Sequence, residues 1–222
     1  MLMSKRSNFD VLAGDYDTAF TESHTGRAQR LISRKWLQPV LSNKSDLKIL
    51  EINCGTGEDA YWLAAKGHQV IATDRWAAMI QQAKQKTTQQ HNPSFHTCAF
   101  DSLIKTFPKQ YFDLLFSNFA GLNCVSPADL FVLSSELHAM LKPGGHLAVV
   151  IFGNRCLWEA LYYLGKVQAK ESVRRWTSKQ VMVPLAEGVY QPVYYYSIRQ
   201  FAQMMYRMQL VEKKPVGLII PP

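Results

Sequence analysis

The chain has 222 residues and a mass of 25.3 kDa, which suits one large domain or two very small ones. Its composition is 47% hydrophobic and 19% charged, which excludes a disordered, collagen-like or coiled-coil chain. The formal charge is +8, and this basic balance suggests an anionic partner or substrate without indicating a fold.

The cysteines and the apolar runs restrict the compartment. No two cysteines have the spacing of a metal site or a disulfide framework, so we expect no metal, free thiols and a reducing cytoplasm. No stretch approaches 18 uncharged apolar residues, and no apolar run follows the basic N-terminus, so we expect neither a membrane span nor a signal peptide. The cysteines are Cys54, Cys98, Cys124 and Cys156.

Strand and helix patterns alternate through the middle of the chain. Short apolar runs separated by helical patterns are typical of βαβ units, and right-handed crossovers then give a doubly wound, mainly parallel α/β sheet. The predicted strands are 48–53, 69–73, 95–100, 112–117 and 146–152, and the helices between them are 58–66, 76–90 and 128–141.

We interpret the chain as a single domain, 1–222, with two flanks around a neutral core. Residues 153–222 hold ten basic and four acidic side chains, or +6, so the excess charge lies mostly outside the core. The segments are an N-terminal helical cap (1–46), a ligand-binding core (47–152), an insertion (153–197) with a helix (157–167) and a hairpin (180–185 with 189–196), and a last helix (198–208) and strand (210–220) within 198–222.

A glycine loop follows the first predicted strand. Gly55 and Gly57 open a helix, where backbone N–H groups can approach a ligand, and the loop also fits the dinucleotide pattern G-x-G-x-x-A. Glu51 in the strand, and Glu58 and Asp59 at the helix start, disfavour a pyrophosphate and favour a ligand with an amino group. The alternative is that Glu58 and Asp59 are ordinary helix-start charges.

Four segments in the same order resemble the class I S-adenosylmethionine (SAM)-dependent methyltransferases. The resemblance covers roughly residues 10–152 and implies a Rossmann-like methyltransferase fold, SAM as cofactor, S-adenosylhomocysteine (SAH) as product and no metal. Phe9 to Asp17 adds a likeness to the quinone-biosynthesis and malonyl-carrier-protein methyltransferases. The four segments are Leu50 to Gly57, Val70 to Asp74, Phe112 to Asn118 and Leu141 to Gly145.

The resemblance implies a cofactor site at the carboxyl ends of the strands. Glu51 and the loop hold the methionine end, Asp74 accepts from the ribose hydroxyls, and Asp101 accepts from the adenine amine. Asn53 departs from the usual Gly or Ala, and its amide can bind the ligand carboxylate. Met79 as core and Asp101 as a turn cap remain alternatives. The full set is Tyr16, Glu51, Asn53, Gly55, Thr56, Gly57, Asp74, Arg75, Met79, Asp101, Ser102 and Asn118.

The methyl acceptor is less defined. No general base is evident, so Asn118, Phe119 and Tyr16 are assigned positioning roles. Aromatic and basic side chains after Gly153 favour a small, partly apolar, anionic acceptor, free or carrier-bound, methylated on oxygen or carbon. The alternatives are an RNA methyltransferase, disfavoured by Ser117 to Ala120, and a non-catalytic cofactor-binding scaffold. The predicted acceptor residues are Phe119, Asn123, Arg155 and Tyr195.

The length also bears on the sheet. Methyltransferases of this class usually add a sixth strand and an antiparallel seventh strand. Residues 210–220 can supply the sixth, and we expect the seventh to be absent, truncated or contributed by a partner.

Overall fold

The computed structural model describes residues 9–42, 44–86, 91–166, 173–177, 179–186 and 189–216. Its centre is a sheet of five parallel strands in the order β3-β2-β1-β4-β5, which confirms the predicted doubly wound, mainly parallel α/β sheet. The strands are β1 (Lys48–Ile52), β2 (Gln69–Asp74), β3 (Ser94–Thr97), β4 (Phe112–Ser117) and β5 (Leu141–Val149).

Helices precede and connect these strands. Ser23 caps the long helix α2 by accepting from the Gly26 N–H, and Ser126 caps α6 by accepting from the Asp129 N–H. The helices are α1 (Phe9–Leu12), α2 (His24–Leu41), α3 (Glu58–Ala65), α4 (Ala77–Gln85), α5 (Leu103–Thr106) and α6 (Pro127–Met140), with a π-helical turn at Asp17–Thr21.

The central strand has apolar residues on both faces, because helices cover the sheet on both sides. Ile49 packs with α2, α3 and α4, whereas Leu50 and Ile52 pack with α6 and the helix near the C-terminus. Leu50 lies opposite Ile71 of β2 and Leu115 of β4. This register aligns the carboxyl ends of the strands along one edge, where open α/β sheets bind ligands.

The segment after β5 leaves the sheet. It forms α7 (Leu157–Gly165), an antiparallel hairpin of β6 (Val181–Ala186) and β7 (Val189–Val193), and α8 (Ile198–Met204). The hairpin is as predicted, with its turn residues 187 and 188 outside the described residues. Among the described residues, no helix has both the length and the hydropathy that a membrane crossing requires.

The boundaries of four predicted elements differ from the structure. β3 ends at Thr97, because a 3₁₀ turn (Phe100–Ser102) follows, closed by the Ser102 N–H donating to the Ala99 carbonyl. β5 begins at Leu141, because Leu141 already pairs with Phe112 before the Pro-Gly-Gly irregularity. α4 ends at Gln85, α8 ends at Met204, and residues 87–90 of the predicted α4 lie outside the described residues.

The predicted last strand is wrong for residues 210–216, which are irregular. The tail instead turns toward α2, where the Trp36 indole N–H donates to the Pro215 carbonyl at 3.1 Å and the Lys214 ammonium lies 4.5 Å from the Trp36 ring. Residues 217–220 of that prediction lie outside the described residues.

Candidate functional site

The loop after β1 is built around two glycines with positive φ. Gly55 has φ +54° and Gly57 has φ +81°. A Cβ on Gly57 would lie 2.7 Å from the buried Phe95 ring, so position 57 admits no side chain without rearrangement. The predicted glycine loop is therefore a tight cradle that presents its backbone at the sheet edge.

Asp74 joins this loop to the start of α4. Its carboxylate accepts from the Gly55 N–H at 2.9 Å and from the Trp76 N–H at 3.0 Å. Burial raises the pKa of Asp74, whereas these hydrogen bonds lower it. Each oxygen keeps a second lone pair, so the carboxylate is fixed in place and can still accept from a diol. Beside it, Arg75 is exposed and Met79 is buried.

Glu51 is a buried acid, and one of its carboxyl oxygens has no hydrogen-bond partner among the described residues. Its side chain on β1 is 2% exposed, and Oε2 has no hydrogen-bond partner within the described part of the chain. Burial raises the pKa of Glu51 well above its ordinary value, and the Asp59 charge adds to this. An unpaired buried carboxyl is costly, which indicates a site prepared for a cation or a hydrogen-bond donor.

Asp59 has a role that the sequence reasoning missed. It is 1% exposed and accepts from Arg30 Nη1 at 2.5 Å, Arg34 Nε at 2.7 Å and Asn118 Nδ2 at 2.8 Å. Asp59 does lie in the first turn of α3, as the helix-start interpretation expects, but it is buried and paired with two arginines of α2, so it is not a free charge that repels an anion. Arg30 and Arg34 have the i, i+4 spacing that places two side chains on one face of a helix, and this pattern in the sequence could have indicated a paired cationic site.

Arg30 lies at the centre of this network. It is 8% exposed, its guanidinium carbon lies 4.6 Å from the Phe119 ring centroid, and its Nε is buried without a hydrogen-bond partner among the described residues. Phe119 and Ala120 have φ of 49° and 63°, a strained turn at the end of β4. Arg30 Nε is a donor on a cation and Glu51 Oε2 is an acceptor on an acid, and neither has a hydrogen-bond partner among the described residues.

Asn53 and Asn118 connect the ends of β1 and β4. Asn53 Nδ2 donates to the Asn118 main-chain carbonyl at 2.7 Å, and Asn53 Oδ1 accepts from the Ser117 hydroxyl at 2.6 Å. The Asn118 side chain accepts from the Phe119 N–H at 2.9 Å. Both amides are thus held by protein partners, and their contacts with a ligand stay predictions.

The N-terminal segment covers the glycine loop. A Cβ on Gly55 would lie 3.8 Å from the Tyr16 ring, and the Thr56 hydroxyl donates to Asp17 at 2.6 Å. Lys86 of α4 pairs with Asp17 at 2.6 Å. Burial raises the pKa of Tyr16 to about 12. Its hydroxyl is therefore neutral at neutral pH, and Tyr16 cannot act as a general base there.

Replacing Asp17 by asparagine should lower the free energy of unfolding by about 1 kcal/mol, because Asn keeps the Thr56 hydrogen bond and loses the Lys86 ion pair. Burial raises the pKa of Asp17, but hydrogen bonds from Lys86 and Thr56 bring it below its ordinary value of 3.8. The contribution is therefore present above pH 3.8 and lost as pH falls through the folded-state pKa.

Urea unfolding at pH 7 and at several acidic pH values measures this difference. The control is Asp15→Asn, an exposed position two residues away that should have little effect. Equal stability of the Asp17 variant and the wild type at pH 7 would contradict the assigned ion pair.

Four predicted residues have other surroundings. Asn123 is fully buried, and its side-chain amide bonds the Phe152 N–H, the Phe152 carbonyl and the Tyr194 carbonyl, so its predicted acceptor role is corrected to a structural one. Asp101 is exposed and accepts from the Ser102 hydroxyl, while the Ser102 N–H is used within its own turn. Arg155 is exposed beyond β5.

Tyr195 is 5% exposed and packs against the Arg175 guanidinium, at 4.9 Å from the ring centroid. Burial raises the pKa of Tyr195, so its hydroxyl is neutral. Among the described residues, no group of three or more His, Cys, Asp or Glu side chains is placed to hold a metal ion.

The chain is similar to known methyltransferases. A family described as a methyltransferase domain matches residues 49–145. A demethylmenaquinone methyltransferase of Paenarthrobacter aurescens (strain TC1) is 26% identical over 185 residues, which are 82% of this chain and 69% of that protein. A tRNA 5-carboxymethoxyuridine methyltransferase of Escherichia coli (strain K12) is 29% identical over 150 residues, which are 65% of this chain and 56% of that protein.

A malonyl-[acyl-carrier protein] O-methyltransferase of Marinomonas sp. (strain MWYL1) is 30% identical over 140 residues, which are 61% of this chain and 49% of that protein. The chain thus spans about half the length of two of these three relatives. The crystal structure of an S-adenosylmethionine-dependent methyltransferase from Mesorhizobium loti has a TM-score of 0.57 at 18% identity and covers 79% of each chain, a likeness of fold.

Proposed function

We propose that the chain, whose residues 49–145 match a methyltransferase domain, is a class I S-adenosylmethionine-dependent methyltransferase that methylates an oxygen or carbon nucleophile of a small, partly apolar, anionic acceptor. The acceptor is free or carrier-bound in this proposal, and the curated relatives act on both kinds by name. We also propose a reducing cytoplasmic location, supported by four free cysteines.

One observation carries the proposal, namely the buried Glu51 carboxyl beside the glycine loop, whose Oε2 has no hydrogen-bond partner among the described residues. An ammonium is the natural partner for this buried acid, and the Arg30 Nε–H, also unpartnered in the described structure, suits a carboxylate. Together they fit the amino-acid end of SAM, while the fixed Asp74 carboxylate fits the ribose hydroxyls. The residues present therefore fit the cofactor.

When bound, SAM supplies an electrophilic methyl group on a good leaving group, which needs an aligned nucleophile and no water. The protein supplies that alignment through Asn118 and Phe119, which directly follow the end of β4. Tyr16 and the segment held by Asp17 cover the loop and exclude water from it.

Isothermal titration of the full chain with SAM and with SAH tests the cofactor assignment. We expect saturable binding of both at micromolar to low millimolar concentration and, with an acceptor present, release of SAH. Absence of SAM binding at millimolar concentration would overturn the proposal.

RNA methylation is the second candidate, favoured by the similarity to the Escherichia coli relative, which is named as a tRNA methyltransferase. It requires tRNA binding that weakens steeply as salt rises, because phosphate contacts release counterions. Salt-dependent tRNA binding together with SAH release from tRNA would favour that candidate over the small acceptor.

A further inference from the structure

The segment after β5 carries a cationic, aromatic wall formed by Arg175, Phe152 and Tyr195. We propose that Arg175 determines acceptor specificity by binding the oxyanion, a carboxylate or a phosphate, of a planar methyl acceptor. This inference rests on the proposed function, since it assigns the acceptor half of the same site.

Arg175 is held by a fork of hydrogen bonds on one side only. Its Nε donates to Glu159 Oε1 at 2.9 Å, and its Nη2 donates to Glu159 Oε2. Three N–H groups remain, two on Nη1 and the second on Nη2, and Nη1 has no hydrogen-bond partner within the described part of the chain. Arg175 thus has a fixed orientation and a free donor edge.

Two aromatic rings flank this guanidinium. Its carbon lies 4.9 Å from the Tyr195 ring centroid and 5.6 Å from the Phe152 ring centroid, and the two rings are 6.5 Å apart. The buried Tyr195 ring shields the guanidinium from water on its side, and the exposed Phe152 ring offers apolar area beside the charge. A planar acid, with an apolar body and an anionic end, matches both properties.

Glu159 anchors Arg175 from a buried position. It is 2% exposed and also accepts from Arg174 Nε at 2.8 Å, so both guanidinium groups pair with this one carboxylate. Burial raises the pKa of Glu159, but hydrogen bonds from Arg175 and Arg174 bring it below its ordinary value, so the carboxylate is charged at neutral pH. A charged Glu159 therefore holds the Arg175 guanidinium in place through a charge-assisted fork.

The wall stands at the sheet edge used by the cofactor site. The Phe152 N–H donates to Asn123 Oδ1 at 2.8 Å, which fixes Phe152 against the loop after β4. Val149 of β5 lies opposite Ser117 of β4, directly before Asn118. Neighbouring strands lie about 4.8 Å apart, and β4 lies between β1 and β5, so the end of β5 is about 10 Å from the end of β1. A small aromatic acid is long enough to span this distance.

The test measures binding of simple probes to the full chain saturated with SAH. Benzoate and phenyl phosphate are the anionic probes and benzamide is the neutral one, with ligand-observed NMR titration as the readout. We expect Arg175→Gln to weaken the better anionic probe about 10-fold or more, with SAH affinity unchanged. Whichever anion binds more tightly identifies carboxylate or phosphate as the natural group.

Arg174→Gln is the matched control, because it removes the same charge from the same Glu159 while its guanidinium lies over Tyr163, at 5.2 Å, instead of the wall. We expect less than about a 3-fold loss. If Arg175→Gln does not fold, Arg175→Lys keeps the charge and loses the fork, and it should show the same loss.

Any one of four results would overturn the inference. The first two are equal losses of anion binding in the Arg174 and Arg175 variants, and unchanged anion binding in the Arg175 variant. The other two are equal binding of benzamide and benzoate by the wild type, and no binding of either anion at 10 mM. Loss of SAH binding by the wild type is a separate result, which would overturn the proposed function itself.

Discussion

Replacing Glu51 by glutamine should stabilise the ligand-free protein and weaken SAM binding by about 10- to 100-fold. The two effects have opposite signs because Glu51 is buried with an unpartnered oxygen. A neutral amide of the same shape removes the cost of a buried acid, about 1–3 kcal/mol. It also removes the charge that holds an ammonium, which is worth about 1.5–3 kcal/mol.

Urea unfolding without ligand and calorimetric titration with SAM measure the two effects separately. Glu58→Gln is the control, since Glu58 is 39% exposed and lies 3.8 Å from Arg34, so both quantities should change little. A destabilised Glu51→Gln protein that binds SAM normally would show that Glu51 is structural.

The same residue predicts a pH dependence. Burial and the nearby Asp59 charge raise the pKa of Glu51 well above its ordinary value of 4.5, despite the opposing effect of Arg30 and Arg34. Between 4.5 and that higher value, the folded protein keeps a proton that the unfolded chain has released. The stability of the ligand-free protein therefore falls as pH rises through this window.

SAM affinity should rise over the same window, because the ammonium requires the ionised carboxylate. Stability and affinity measured against pH in the wild type and in Glu51→Gln isolate this contribution from that of Asp74, whose pKa burial also raises. Parallel pH curves for the two proteins would contradict the assignment.

Replacing Gly57 by alanine should lower the free energy of unfolding by about 2–5 kcal/mol. A positive φ of +81° costs an L residue about 1–2 kcal/mol. The added Cβ would also meet the Phe95 ring at 2.7 Å and the Ala83 Cβ at 3.1 Å. Overpacking of this kind costs about 1–3 kcal/mol more, since Phe95 is buried beside Tyr61.

Gly67→Ala is the control for the backbone contribution, because Gly67 has φ +86° and no atom within 4 Å of its ideal Cβ. The melting temperature should fall by about 2–4 °C for each kcal/mol. The Gly57 variant should therefore melt several degrees below the Gly67 variant. Equal melting temperatures would mean that the Phe95 ring moves aside without cost.

The sequence by itself determined the local elements of the site. Apolar runs separated by helical patterns placed β1, β2 and β4, because each pattern depends on neighbours within a few residues. The glycines of the loop and the acids Glu51 and Asp74 were also predicted, since a strand followed by a glycine turn defines where their side chains emerge.

Only the tertiary structure decided which distant residues share the site. Asp59 meets Arg30 and Arg34 across more than twenty residues, and no local pattern distinguishes this buried network from exposed helix charges. The sequence predicted that Asn123 contacts the methyl acceptor. Its side-chain amide instead binds the segments that follow β5 and β7 and so links them to the loop after β4.

The positions of the C-terminal tail and of the cationic, aromatic wall also follow from long-range packing and not from local sequence patterns. Residues 210–216 have strand-like composition but turn toward Trp36, because a hydrogen bond and a ring contact with α2 compete with the sheet. The sequence shows that Arg175 is one of several basic residues after Gly153, whereas its orientation is set by Glu159 on another element. Local patterns determine elements, whereas the pairing of buried charges follows from long-range packing, which sequence periodicity does not encode.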